Sequence, residues 1–196
     1  MKKIAALLLL VAGIWFVFHE PAAHWRGIPA LPDPVQTDSD LPPAFPHDSY
    51  VIKPLATYSI TAVVLSRARY RFDPAAELAP VDLALGWGPM SIASALNELS
   101  ISQSGRWYEY SWKDEPPLDP GVIARHSANT HCLPADDNVR RQLLAVHRHD
   151  LVTLEGYLVD ITGPNGYHWR SSLTRDDTGD GSCEVMWVTR VSDHKL

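Results

Sequence analysis

The sequence predicts an α+β fold: one N-terminal transmembrane helix, then a small, strongly curved antiparallel β barrel, OB-like in its C-terminal third, with short helices. Three observations lead there. Met1-Lys2-Lys3 precede fifteen consecutive uncharged residues, Ile4 to Phe18, the form of an export or anchoring signal. Seven prolines then fall between Glu20 and His47, so residues 20–47 read as a semi-rigid spacer. Residues 48–196 suit one compact domain by length, and their final third alternates apolar and polar side chains at period 2 between turn-forming clusters.

Residues 1–19 are expected to act as an uncleaved anchor. Fifteen helical residues rise about 22 Å against a hydrocarbon core of about 30 Å, a shortfall met by extension to His19 and interfacial seating of Trp15. A cleaved signal is the alternative. Ala23 could end one, but Pro21 stands two before it, and cutting after Ala22 puts Glu20 in the critical position. The paired lysines hold the amino end in the cytoplasm. The domain is then periplasmic, on a single-pass protein of the bacterial inner membrane, with the lipid bilayer as partner of residues 4–18.

Within the domain, Tyr58, Ile60, Ala62 and Val64 alternate with Ser59 and Thr61, which predicts a strand over Thr57–Leu65. Pro80 to Leu85 reads as a short helix stopped by Gly86, and Met90 to Leu99 as a second. Arg106 to Trp112 is strand-like, with Tyr108, Tyr110 and Trp112 on one face. Asp119-Pro120 is an N-cap with a first-turn proline, and Asp136 or Asp137 caps a longer helix carrying Val139, Leu143 and Val146. Leu151 to Ile161 is a strand with Val152, Leu154 and Leu158 inward and Gly156 marking a bend. A turn at 163–166 leads to strands over Tyr167–Leu173 and Cys183–Val191.

The 17 basic and 23 acidic residues give a formal net charge of −6, and setting aside Lys2 and Lys3 makes it more negative still. That balance disfavours nucleic acid as a partner. Arg67, Arg69 and Arg71 alternate along one strand face, either as a positive ridge or, preferably, as a solvated face. Cys132 and Cys183 form an even pair in an oxidising compartment. A disulfide between them would close a loop of about fifty residues and contribute roughly 4 kcal/mol; the alternative is two buried small apolar residues.

Candidate chemistry is sparse. His126, His131, Arg175, Asp176 and Asp177 are polar residues crowded into two predicted loops, a candidate hydrolase site without a motif that fixes its geometry. Asp176, Thr178 and Asp180 occupy positions one, three and five of a calcium-type loop with Gly181 at six, but Trp187 stands where a bidentate glutamate belongs. Trp87, flanked by Gly86 and Gly88, is either an exposed recognition residue or a core plug, and core packing has the better claim. Together with Arg106, Trp107 and Tyr108 it marks the surface expected to meet a partner or glycan. No cofactor is expected.

Four stretches carry a resemblance: 82–91 (Asp-Leu-Ala-Leu-Gly-Trp-Gly-Pro-Met-Ser), 101–108 (Ile-Ser-Gln-Ser-Gly-Arg-Trp-Tyr), 127–131 (Ser-Ala-Asn-Thr-His) and 171–179 (Ser-Ser-Leu-Thr-Arg-Asp-Asp-Thr-Gly). Taken together the chain resembles a group of uncharacterised bacterial membrane-anchored envelope proteins. The likeness implies an envelope location and no activity. Ile92 departs from the acidic residue, and Cys132 from the aliphatic one, usual in such chains. The expected function is a non-catalytic binding or assembly module engaging another envelope protein. A periplasmic hydrolase and a calcium-stabilised adhesion domain are the alternatives.

Overall fold

A computed structural model describes residues 28–177 and 182–194. The expected anchor at 1–19 lies outside them. Among the described residues no helix is long and apolar enough to cross a membrane. The fold is α+β, dominated by one strongly curved sheet.

Its organising element is β3, Tyr50–Arg69, twenty residues of β-branched and aromatic alternation. One edge of β3 receives, in succession, β2 (Phe45–His47), β1 (Val35–Thr37) and β4 (Val81–Gly86), all antiparallel. The other edge pairs with β8, Leu151–Thr162. Register shifts at Pro54/Ala56 and Val64/Ser66 let a single long strand bend enough to serve both edges. The pairings continue from β4 to β7 (Ser127–Pro134), from β7 in parallel to β10 (Glu184–His194), and from β10 antiparallel to β8. The cycle β3–β4–β7–β10–β8 therefore returns to β3. A short β9, His168–Arg170, extends β8, and a separate hairpin joins β5 (Ser100–Ser104) to β6 (Trp107–Ser111).

Inside the cycle lies the main core, with Ile60, Leu83, Leu85, Trp87, Leu154, Leu158, Met186 and Val188 packed together. Helix α3, Asp137–Ala145, adds Val139 and Leu143 to it. Its start follows from sequence: the Asp136 carboxylate accepts from the Asn138 and Val139 amides, each at 2.8 Å. Replacing Asp136 by Ala is expected to cost about 1 kcal/mol in a urea titration. At the other end, Arg67 and Arg69 donate to the carbonyls of Val146 and Leu144. These two arginines complement a helix C-terminus; they do not form a free ridge. Two shorter helices, α1 (Ala93–Leu96) and α2 (Pro120–Arg125), pack on the outside, α2 capped by Asp119 as its sequence predicts.

Several expectations need correction. Val81–Gly86 is a fully buried strand, not a helix, because it is sandwiched between β3 and β7 with both faces covered. Within the proline-rich stretch, residues 35–37 and 45–47 are edge strands, and Leu31 bridges Gly88. Pro46 fits there because an edge strand has one side with no ladder to donate to. Met90–Leu99 forms only a 3-10 turn at Pro89–Ser91 and the single turn of α1. Tyr167–Leu173 contributes just the three residues of β9. Cys132 and Cys183 are free thiols. Cys132 packs in the main core beside the inward face of β10, whereas Cys183 precedes the inward-facing Glu184 and so points to the opposite face.

Candidate functional site

Every residue of β4 and β7 is buried, including polar ones, and this is where the site begins. Alternation sends Leu83, Ala128 and Cys132 into the main core, and Asp82, Ser127, Asn129 and His131 to the outer face. The hairpin β5–β6 covers part of that face. Gly105 and Arg106, at φ 57° and 69°, make its two-residue turn, both in the left-handed region that a tight hairpin requires.

A left-handed backbone is strained for a residue with a Cβ, and at Arg106 that strain is offset by a network that fixes its side chain. The guanidinium meets Asp82 Oδ1 at 3.1 Å, both Asp73 oxygens at 2.8 and 3.0 Å, and the Ala79 carbonyl at 3.0 Å. It also lies 4.1 Å from the centroid of the Tyr70 ring. Asp82 Oδ2 is 2.9 Å from His131 Nδ1, a contact out of line for a hydrogen bond. The His131 ring packs on Trp169 at 4.6 Å between centroids. Burial, reinforced by Asp82, pushes the Tyr70 phenol up to about 12.

Over this network opens a cavity of about 530 Å³, walled by Arg106, Trp107, His131, Tyr167, Trp169 and Cys183, with His168 and Arg170 at its edge. His168 and Arg170 both pair with Asp160, at 2.7 and 2.9 Å. A second cavity of about 220 Å³ shares Trp107 and Cys183 with the first and adds Tyr110, Asn129, Arg175, Asp177 and Glu184. Asn129 ties the pieces together: it accepts from Gln103 at 2.7 Å, and its amide donates to the Arg106 carbonyl at 2.8 Å and approaches Cys183 Sγ at 3.8 Å. Trp107, shared by the two cavities, is 42% exposed.

Glu184, wholly buried at the start of β10, forms an ion pair with Arg175, which also donates to the Tyr58 hydroxyl and lies over the Trp87 ring. Burial pushes the Tyr58 phenol up to about 12, with Arg175 opposing, and burial does the same to Tyr108, opposed by its hydrogen bond with Ser127. Unfolded tyrosine ionises near pH 10. Below that pH both states keep their protons and the contribution is intact. Between about 10 and 12 the unfolded chain ionises while these two phenols do not, so stability is lost as pH rises. Melting temperature is expected to fall across that window, and Tyr58→Phe to flatten the fall.

The sequence candidates divide among these places. Trp87 is 1% exposed and belongs to the core, so it is not a recognition surface. Arg106, Trp107 and Tyr108 do line the outer-face site. His131 stands in the larger cavity, and Arg175 and Asp177 in the smaller. His126 lies in a third cavity of about 390 Å³, with Arg125, Trp87 and Tyr58, where Arg175 also reaches. Asp176 is exposed, while Asp177 accepts from the Ser172 hydroxyl at 2.6 Å. Thr178 and Asp180, the other two calcium candidates, lie outside the described residues. Sequence reasoning missed Asp73, Asp82, Asn129 and Trp169. The available signal was Asp82, a lone charge inside the apolar run 81–85. Comparison with family models, with curated proteins and with solved structures finds no match to this chain.

Proposed function

We propose that the chain is a membrane-tethered extracytoplasmic binding and assembly module, non-catalytic, built on an OB-type barrel. The barrel reading is supported by the five-strand cycle. Numbered within it, the strands run 1-2-3-5-4 and back to 1, with strands three and five parallel and α3 between three and four. The tether is supported by Lys2-Lys3 and the apolar run 4–18. A likeness to bacterial envelope proteins goes with both.

One observation carries the binding role. Two cavities on one face meet at an exposed tryptophan, while the basic groups lining them are already paired with carboxylates. Such a surface offers shape, aromatic area and fixed dipoles. A photoreactive residue at position 107, installed in intact cells, is expected to give discrete membrane-associated adducts. The same group at Phe72, 98% exposed on the β3–β4 loop, serves as control and should give none. Equal labelling from both positions would refute the assignment.

A hydrolase is the second reading, favoured only because Asp177 and Glu184 line one cavity with Arg175. The two histidines first grouped with them stand in other cavities. Turnover of a cell-wall or phosphoester substrate, lost in Asp177→Asn, would establish it.

A further inference from the structure

We infer that Cys183 is a reactive thiol that exchanges with a disulfide brought to the binding face, with His131 as the base that takes its proton. The product is an external sulfur bonded to the protein. This rests on the extracytoplasmic binding reading and adds to it a stoichiometric covalent bond. The chain has two cysteines. Cys132 is wholly buried on the inward face of β7, whereas Cys183 is partly exposed on the opposite face of the sheet. Cys132 stands opposite Met186, three residues and so about 10 Å along β10 from Cys183. A bond between them would require the sheet to come apart. A disulfide at Cys183 therefore has to be made with a sulfur from outside the chain.

The thiol does not stand alone. Glu184 lies opposite Thr130, so Cys183, one residue earlier, stands beside Asn129, whose amide nitrogen is 3.8 Å from Sγ. His131 is two residues further along β7 on the same face, a diagonal of about 7–8 Å that side chains can close. It lines the larger cavity together with Cys183. His131 is 4% exposed, and its Nδ1, beside Asp82 Oδ2, has no hydrogen bond. A carboxylate on that side favours the proton on Nδ1, which leaves the lone pair on Nε2 at the opposite edge of the ring. Burial pushes the Cys183 thiol up, with its Asn129 contact opposing, so the sulfur needs a base before it attacks.

In the exchange, Nε2 accepts the Sγ proton and the thiolate attacks one sulfur of the incoming disulfide. That S–S bond breaks as the new one forms. The second sulfur leaves as a thiolate and takes the proton from the imidazolium, so no oxidant is consumed. Acyl transfer would also need donors for a developing oxyanion, and the nearest amide, that of Asn129, already donates to the Arg106 carbonyl at 2.8 Å. Trp107, shared with Cys183 by both cavities, supplies an apolar wall for the incoming group.

The test uses the full chain in detergent micelles and dithiodipyridine, a neutral aromatic disulfide whose leaving group is read by absorbance. The native protein is expected to react through Cys183, with the signal lost in Cys183→Ser. Its rate per thiol is expected to exceed that of the same chain unfolded in urea by at least about tenfold, and His131→Gln to remove that advantage. Comparing the parent with its own unfolded state keeps the test valid if His131→Gln does not fold. A native rate at or below the unfolded one overturns the inference, as does a folded His131→Gln that reacts like the parent. In intact cells, trapping with N-ethylmaleimide is expected to preserve a reductant-sensitive adduct on Cys183. A small mass gain identifies a low-molecular-weight thiol as its source, and a shifted gel band a polypeptide. If no adduct forms while position 107 still crosslinks a partner, the binding face stands and the exchange falls. If both fail, both readings fall.

Discussion

Gly156→Ala is expected to abolish the folded state or to cost more than about 4 kcal/mol. A Cβ at this position would sit 1.9 Å from the Trp187 carbonyl oxygen and 3.2 Å from the Thr189 amide nitrogen. Both are backbone atoms of β10, so no side-chain rotation relieves the clash. Gly156 pairs with Tyr58 of β3 on one side and Val188 of β10 on the other, beside the register shift at Val188/Arg190. Making room for a methyl group means parting β8 from β10, which opens the five-strand cycle. Loss of the cooperative urea transition at 25 °C is the expected readout. A Gly156→Ala variant within about 1 kcal/mol of the parent would show that the close approach is not a constraint.

Asp82→Ala is expected to cost about 3–5 kcal/mol, because it removes the fully buried carboxylate that Arg106 and His131 share. His131 loses the carboxylate beside it, and Arg106 keeps Asp73, the Ala79 carbonyl and the Tyr70 ring. The loss should extend to the hairpin, whose turn residue is Arg106. Hydrogen exchange at β5 and β6 is therefore expected to accelerate more than exchange at β8. Asp82→Asn, which keeps the shape and removes the charge, should fall between the two. A cost under about 1 kcal/mol with unchanged hairpin protection would mean that Arg106 is held by Asp73 alone.

Much of the strand content could be read directly. The alternation at 57–65, the inward row Val152, Leu154 and Leu158, the bend at Gly156 and the two aspartate N-caps all reflect local rules that the tertiary structure leaves intact. The failure at β4 is instructive. A strand buried on both faces has no period-2 signal, and flanking Pro80 and Gly86 imitate helix punctuation. Prolines 29 to 46 look like spacer by composition, yet they flank two short edge strands, and the one inside a strand, Pro46, is tolerated because one side of an edge has no ladder to donate to.

The candidate site was legible only in part for a different reason. Trp107 and Arg106 stood out by residue type, but Asp82, Asn129 and Glu184 gain meaning only through register across three strands. Asp82 lies opposite His131 and Thr130 opposite Glu184, pairs separated by about fifty residues of chain. His131 and Cys132, adjacent on one strand, point to opposite faces, and the cysteine on the outer face with His131 is the distant Cys183.

Recovery of partners from crosslinked membranes tests the central reading most directly, with the intact chain and its Trp107→Ala variant compared at equal expression. The expected result is a reproducible set of envelope components, glycan or protein, held by the parent and lost with the indole, while both chains stay in the membrane fraction with the same melting temperature. Identical recovery from the two, or an intact chain found in the cytosol, would contradict it.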